Sequence, residues 1–253
     1  MKFFSAVVIS SFAFMFSFDV YASDLQVDLK TPRGSLIKLD IYSPGLQSVL
    51  LLGPGQGCSP RLDMYDAIAS EAKTNGFTVA RLYWAYCISD PQNGNPSNDL
   101  SSEKEDFLTA LDYIRDNLNF LDTNIFVGGK SLGTFVSFEI FNSQKSLQAL
   151  VMLTPVCTDS TTNTQSHKNV FAENYPNLGS ESRPVLLAQG NTDPLCDVIH
   201  FQDFLKDKGN NFIPLVVKGN HGFGIQNPDG QLNADLGAKN LQSISKWIFT
   251  WLK

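Results

Sequence analysis

The sequence holds no run of lysine and arginine, and its formal net charge is −6. A nucleic-acid partner requires a basic face, so that class of function is set aside, and anionic membrane surfaces are disfavoured for the same reason. Only three histidines are present, and the four cysteines form no Cys-x-x-Cys pair, which leaves no zinc-site pattern. Beyond the first residues there is no second long apolar run, so the remainder reads as a soluble protein. No internal repeat and no interdomain linker occur. Apolar residues nevertheless make up 43% of the 253 positions, enough for the core of one large α/β domain.

The beginning of the chain reads as a signal peptide. Lys2 supplies a positive start, Phe3 to Phe18 is an apolar run short for a bilayer span, and Val20-Tyr21-Ala22 offers a cleavage site after Ala22. An uncleaved signal anchor is the alternative. Cleavage removes Lys2 and Asp19 together, so residues 23–253, read as a single domain, keep the charge of −6. No cysteine lies near the site to carry a lipid, so no stable membrane anchor is expected, and the location is periplasmic or secreted. All of Cys58, Cys87, Cys157 and Cys196 remain after cleavage. An even number in an oxidising compartment suggests disulfides, whereas buried thiols acting as small hydrophobes are the plain alternative.

Strand-like and helix-like segments alternate along the rest. Leu25–Lys30 and Ser35–Tyr42 carry alternating apolar residues around a Pro-Arg-Gly turn and read as an antiparallel hairpin. Strands follow at Ser48–Leu52, Phe77–Trp84, Asn124–Val127, Ala149–Thr154, Val185–Ala188 and Phe212–Val217. Helices are expected over Arg61–Asn75, from Ser101 through Leu118, from the residues after Ser131 to about Asn142, over Asp197–Lys208 and over Asn233–Leu252. Cys157–Arg183 is polar and lacks periodicity. Repeated βα units after a hairpin mean a mostly parallel sheet with helices on both faces. Ligand sites in such sheets lie beyond the carboxyl ends of the strands, so those loops carry the chemistry.

Gly129-Lys130-Ser131-Leu132-Gly133 follows the strand ending at Val127 and precedes a helix. This is the Gly-x-Ser-x-Gly nucleophile elbow, in which a sharp strand-to-helix turn lifts a serine hydroxyl above the sheet. The Gly-Lys-Ser tripeptide also resembles the end of a phosphate-binding loop, but that motif needs glycine where Asn124 stands. An unreactive structural turn is the other reading. A serine hydroxyl needs a base, and the base an orienting acid, in the chain order serine, acid, histidine. Asp193 follows the strand Val185–Ala188, and His221 follows the strand Phe212–Val217. Asp193 is otherwise a plain turn aspartate, with Asp197 as substitute acid although it stands where a helix cap belongs. His221 is otherwise a polar surface residue. His167 lies in the polar stretch and His200 falls within a helix, so His221 is the histidine placed to serve.

These residues carry a resemblance. Val79-Ala80-Arg81-Leu82-Tyr83-Trp84-Ala85-Tyr86, the helix around Ala110-Leu111-Asp112, and Gly128-Gly129-Lys130-Ser131-Leu132-Gly133 are similar to α/β-hydrolases of the dienelactone-hydrolase-like group. Within it the chain resembles the branch with a Gly-Gly-Lys-Ser elbow, which includes testis-expressed and chromatin-complex hydrolase-like proteins. The likeness spans roughly residues 46–252. It implies the α/β-hydrolase fold, with a mostly parallel eight-stranded sheet, and hydrolase chemistry, but not a substrate. Ser131 stands where dienelactone hydrolases have cysteine, which favours ordinary esters over lactones, and the signal peptide departs from the intracellular relatives.

Further expectations rest on that resemblance. The oxyanion donors are the amide of Leu132 and one from the loop Gly53-Pro54-Gly55-Gln56-Gly57, where many relatives have His-Gly. Pro54 has no N–H, and setting Pro54-Gly55 against His-Gly makes Gln56 the donor. A Gly-rich turn without that role is the alternative. The usual strand order of the fold makes the strand before Cys58 a neighbour of the one before Cys87, and the strand before Cys157 a neighbour of the one before Cys196. Disulfides Cys58–Cys87 and Cys157–Cys196 follow as expectations, against three formal pairings. Cys157–Arg183 occupies the lid position and is a short polar lid, poor in large apolar residues apart from Val170, Phe171 and Tyr175. The expected activity is that of an exported serine esterase acting on small or medium acyl substrates, with no metal or organic cofactor. A peptidase or amidase with the same triad, or a non-catalytic scaffold that kept the fold, are the other readings. The oligomeric state is left open by the sequence.

Overall fold

A computed structural model describes residues 23–58, 63–159 and 168–253. The N-terminal segment through Ala22, the first residues of the helix expected from Arg61, and His167 lie outside the described residues. The hairpin is formed by β1 (Leu25–Lys30) and β2 (Leu36–Tyr42). The strands β3 (Ser48–Gly53), β4 (Phe77–Tyr83), β5 (Ile125–Lys130), β6 (Ala149–Leu153), β7 (Val185–Gly190) and β8 (Phe212–Val217) complete the sheet. It is eight-stranded, in the order β1-β2-β4-β3-β5-β6-β7-β8. β1–β2 and β2–β4 pair antiparallel, and every later pairing is parallel.

Among the parallel strands β3, β6 and β7 are buried on both faces, which is why they read as apolar runs, whereas β8 at the sheet edge is only partly covered. Alternate residues feed two cores. On one face Leu51, Val127 and Met152 pack with Phe107 and Leu111 of α3 (Ser101–Asp116) and Val136 and Phe141 of α4 (Leu132–Ser143). On the other, Leu52, Phe126 and Leu153 pack with Ile68 of α1 (Asp63–Thr74) and Ile248 of α7 (Ala234–Trp251). Between β4 and α3 lies the short helix α2 (Ala85–Ser89), and between β6 and β7 lies α5 (Phe171–Asn174). The helix α6 (Val198–Leu205) follows β7, and a small hairpin of β9 (Ile225–Gln226) and β10 (Leu232–Asn233) precedes α7.

Several boundaries differ from the sequence reading for identifiable reasons. Asn124 closes a 3₁₀ turn, and β5 continues to Lys130 because Gly128 and Gly129 still pair with Val151 and Met152. β6 stops at Leu153 because Thr154 enters the left-handed region at φ 48°. α6 begins after Asp197, whose side chain accepts from Ile199 N at 2.8 Å as a helix cap. The segment expected to act as a lid sends Phe171, Tyr175 and Leu178 into the core on the α4 side instead of holding them out. Phe135 stacks on Tyr175 there at a centroid distance of 5.1 Å.

Candidate active site

The elbow is tight. Ser131 has φ 52° and ψ −119°, a conformation that costs about 1–3 kcal/mol for a residue with a side chain. Its surroundings hold it there: Ser131 N donates to Leu153 O at 3.0 Å, and its carbonyl accepts from Thr134 N at 2.8 Å and Thr134 Oγ1 at 2.5 Å. Glycine is required on both sides. A Cβ on Gly129 would meet Gly133 O at 2.0 Å, and a Cβ on Gly133 would meet Gly53 O at 2.3 Å. The second contact also brings the loop after β3 against the amino end of α4. Tyr175 braces the elbow from the far side, its hydroxyl 2.7 Å from Thr134 Oγ1 and accepting from Val156 N at 3.0 Å. Burial raises the Tyr175 pKa, so it stays neutral.

Asp193 lies in the turn after β7 and is almost wholly buried. Its Oδ2 accepts from His221 Nδ1 at 2.8 Å, across the gap between the loops that follow β7 and β8. Oδ1 accepts from Leu195 N at 2.8 Å. His221 Nε2 is buried and has no hydrogen-bond partner among the described residues. Nδ1–H directed at a carboxylate leaves Nε2 as the basic nitrogen, the tautomer a general base needs. Asp193 and His221 are thus brought together, and Ser131 stands at the strained turn. No hydrogen bond joins Ser131 Oγ to Nε2 among the described residues; such contacts commonly tighten only with substrate bound. Asp197 is exposed and caps α6, while His200 Nδ1 lies 3.3 Å from Thr158 Oγ1.

The buried polar atoms left without partners point to the same place. Four occur among the described residues, Ser43 Oγ, Thr154 Oγ1, Gln189 Oε1 and His221 Nε2. All but Ser43 follow or end β6, β7 and β8, the edge where ligands bind in this architecture.

Gln189 escaped the sequence reading. Its Nε2 donates to Asp193 Oδ2 at 2.8 Å and lies 3.2 Å from Cys196 O and 3.3 Å from Gly190 O. Three oxygens around one nitrogen fix the amide's orientation, and Asp193 Oδ2 accepts from both Gln189 Nε2 and His221 Nδ1, so Gln189 aims the oxygen that orients the imidazole. A polar residue at the end of an otherwise apolar strand was the available signal.

Around the site the structure joins Cys58 to Cys87, with Cα atoms 5.1 Å apart, and Cys157 to Cys196, with Cα atoms 4.5 Å apart. Each bond links the loops of two adjacent strands and restricts the unfolded chain, worth about 3–4 kcal/mol in the loop-entropy picture. The first lies two residues beyond Gln56. The carbonyl of Gln56 accepts from Tyr86 Oη at 2.8 Å, which ties the loop to α2. The Gln56 amide makes no hydrogen bond among the described residues, and Leu132 N is free as the first amide of α4. Both are available as donors. If Gln56 N is an oxyanion donor, Gln56→Ala retains it and costs little, while Gln56→Pro lowers kcat about 10²-fold or more. A folded Gln56→Pro protein with near-normal turnover refutes the assignment.

A family model described as an alpha/beta hydrolase domain matches residues 46–249. The chain belongs to the α/β-hydrolase family. Solved structures agree in fold. An alpha-beta serine hydrolase homologue from Coxiella burnetii is 15% identical, with 91% of this chain and 98% of that one covered and a TM-score of 0.65. The esterase domain of a Rhodothermus marinus protein is 15% identical, with 90% and 99% covered and a TM-score of 0.62. A dienelactone hydrolase from Anabaena variabilis is 14% identical, with 90% and 95% covered and a TM-score of 0.62. No curated protein sequence matches the chain.

Proposed function

We propose that this protein is a serine hydrolase that cleaves carboxylic esters, or related acyl bonds, of small to medium substrates through an acyl-enzyme. The observation that carries the reading is the Asp193–His221 pair at 2.8 Å with Nε2 unengaged, together with a serine held at φ 52° at the carboxyl end of β5 on the same edge of the sheet. In the first half-reaction His221 Nε2 takes the Ser131 proton as Oγ adds to the carbonyl carbon. Negative charge moves to the carbonyl oxygen and meets the amides of Leu132 and Gln56. The tetrahedral adduct collapses, the leaving alkoxide takes the proton from His221, and the acyl group stays on Ser131. Water, deprotonated by the same nitrogen, then adds to the acyl carbon; as this second adduct collapses, the acyl–Oγ bond breaks, Ser131 Oγ takes the proton back from His221, and the acid leaves.

The proposed partner is a small acyl substrate; the acidic charge of −6 argues against nucleic acid. Export to the periplasm or the medium, with cleavage after Ala22, is proposed from the N-terminal pattern. Two disulfides suit an oxidising compartment, and among the described residues no helix is long and apolar enough to cross a membrane. A fluorophosphonate probe tests the chemistry. Folded protein carrying the label on Ser131, and losing it in Ser131→Ala, supports the hydrolase. Folded protein that stays unlabelled points to a scaffold that retained the fold.

A further inference from the structure

Lys130 is the variable residue before the nucleophile, and the mechanism above gives it no task. It pairs in register with Leu153, which packs in the core between the sheet and α1 and α7, so its stem leaves β5 on that side. Its ammonium turns beneath the loop after β3. Nζ lies 3.9 Å from the point a Gly55 Cβ would occupy, and that same point lies 3.5 Å from Ser131 Cβ. Gly55, having no side chain, lets loop, nucleophile and cation share this space. Among the described residues Nζ has no hydrogen bond and no ion pair. Asp193 is the one charged group acting on it, and both oxygens of that carboxylate are already engaged, by His221, Gln189 and the Leu195 amide.

We propose that Lys130 is an electrostatic component of this acyl-transfer site: its ammonium, seated on the Gly55 side of Ser131, stabilises the negative charge that moves onto the substrate carbonyl oxygen. This rests on the hydrolase reading. As the tetrahedral adduct forms, the Oγ–C bond is made, the Oγ proton passes to Nε2, and one carbonyl electron pair moves onto oxygen. Net charge does not change, but positive charge appears at His221 and negative charge beside the oxyanion loop. A fixed cation on the loop side favours that redistribution over the ground state, and partial burial weakens its screening by water.

The charge on Lys130 is costly and pH-sensitive. Burial lowers its pKa to about 8, with attraction from Asp193 opposing the shift. Among the described residues Asp193, in the loop after β7 and bonded to His221, is the titratable group whose charge reaches it. A lysine whose pKa falls on folding destabilises the native state while it is charged. That burden is lifted as pH rises from about 8 towards the ordinary value of 10.5.

The test compares wild type, Lys130→Met and Lys130→Arg. With a short-chain ester, wild-type kcat/KM falls as pH rises through about 8. Lys130→Met lowers kcat about tenfold at neutral pH, leaves KM nearly unchanged and loses that alkaline limb. Lys130→Arg keeps its charge and holds its plateau at least about one pH unit further. Without any substrate, Lys130→Met also raises the thermal midpoint at pH 7, and its advantage shrinks towards pH 10. An active wild type whose kcat and alkaline limb are shared by Lys130→Met overturns this assignment alone. Wild type that neither turns over ester nor takes the fluorophosphonate label at any pH overturns the hydrolase reading, and this one with it. If circular dichroism shows Lys130→Met misfolded, the arginine variant decides: an unmoved alkaline limb overturns the proposal, and a limb displaced upward supports it.

Discussion

Ser131→Ala and His221→Ala each lower hydrolysis of a short-chain ester by about three orders of magnitude or more, and the double variant is little worse than either. The nucleophile without its base, and the base without its nucleophile, lose the same step. Ser131→Ala removes the Oγ proposed to form the acyl-enzyme. His221→Ala leaves Oγ with no group to take its proton, since no other histidine approaches the elbow among the described residues. His200 is engaged near Thr158 on the α6 side. What activity remains comes from the oxyanion amides and substrate binding. Steady-state kinetics on the three folded variants decide the matter, and losses that add in the double variant contradict the triad. Ser131→Ala is also expected to be no less stable than wild type, because the hydroxyl makes no hydrogen bond among the described residues while its backbone remains pinned by Leu153 and Thr134.

Asp193→Asn lowers kcat by about 10³–10⁴-fold, whereas Asp197→Asn changes it less than about twofold. The difference follows from what each carboxylate touches. Asp193 Oδ2 accepts from His221 Nδ1 and thereby keeps Nε2 free of its proton. An asparagine amide turned to that position presents an N–H, selects the opposite tautomer and leaves the base unable to accept. Asp197 accepts only a backbone amide at the start of α6, a task asparagine performs equally well. Gln189→Met, which removes the second donor to the Asp193 Oδ2 that His221 uses, gives a smaller loss of about tenfold, with Asp193 less firmly aimed. A severe Asp197→Asn with a mild Asp193→Asn reverses the choice of acid.

Much of this protein is written locally. Runs such as Ser-Val-Leu-Leu-Leu before Gly53 are strands buried on both faces, and such runs declare themselves without any partner. The elbow is equally local, because Ser131 demands glycine two residues away on either side whatever the rest of the chain does. Asp193 and His221 were each placed by one rule, that chemistry lies at the carboxyl ends of parallel strands, applied to strands already found.

What the sequence alone determined was therefore the strand–helix alternation, the tight turn at Ser131 and the places of Asp193 and His221 just past strand ends, since each depends on neighbours a few residues distant. Contacts between distant segments were decided by tertiary structure. Tyr175 reads as part of a polar lid, yet it is a core residue bracing Thr134, because its aromatic ring finds Phe135 and Phe138 on α4. Gln189 reads as the first residue after the strand Val185–Ala188, and only the turn through Cys196 curls three oxygens around its amide. Lys130 reads as a variable position of the elbow, and only the close passage of Gly55 over Ser131 puts its ammonium beside the nucleophile. In each case the deciding partner lies more than thirty residues away or on the far side of a turn, and no propensity or periodicity within a short window carries the energy of that meeting.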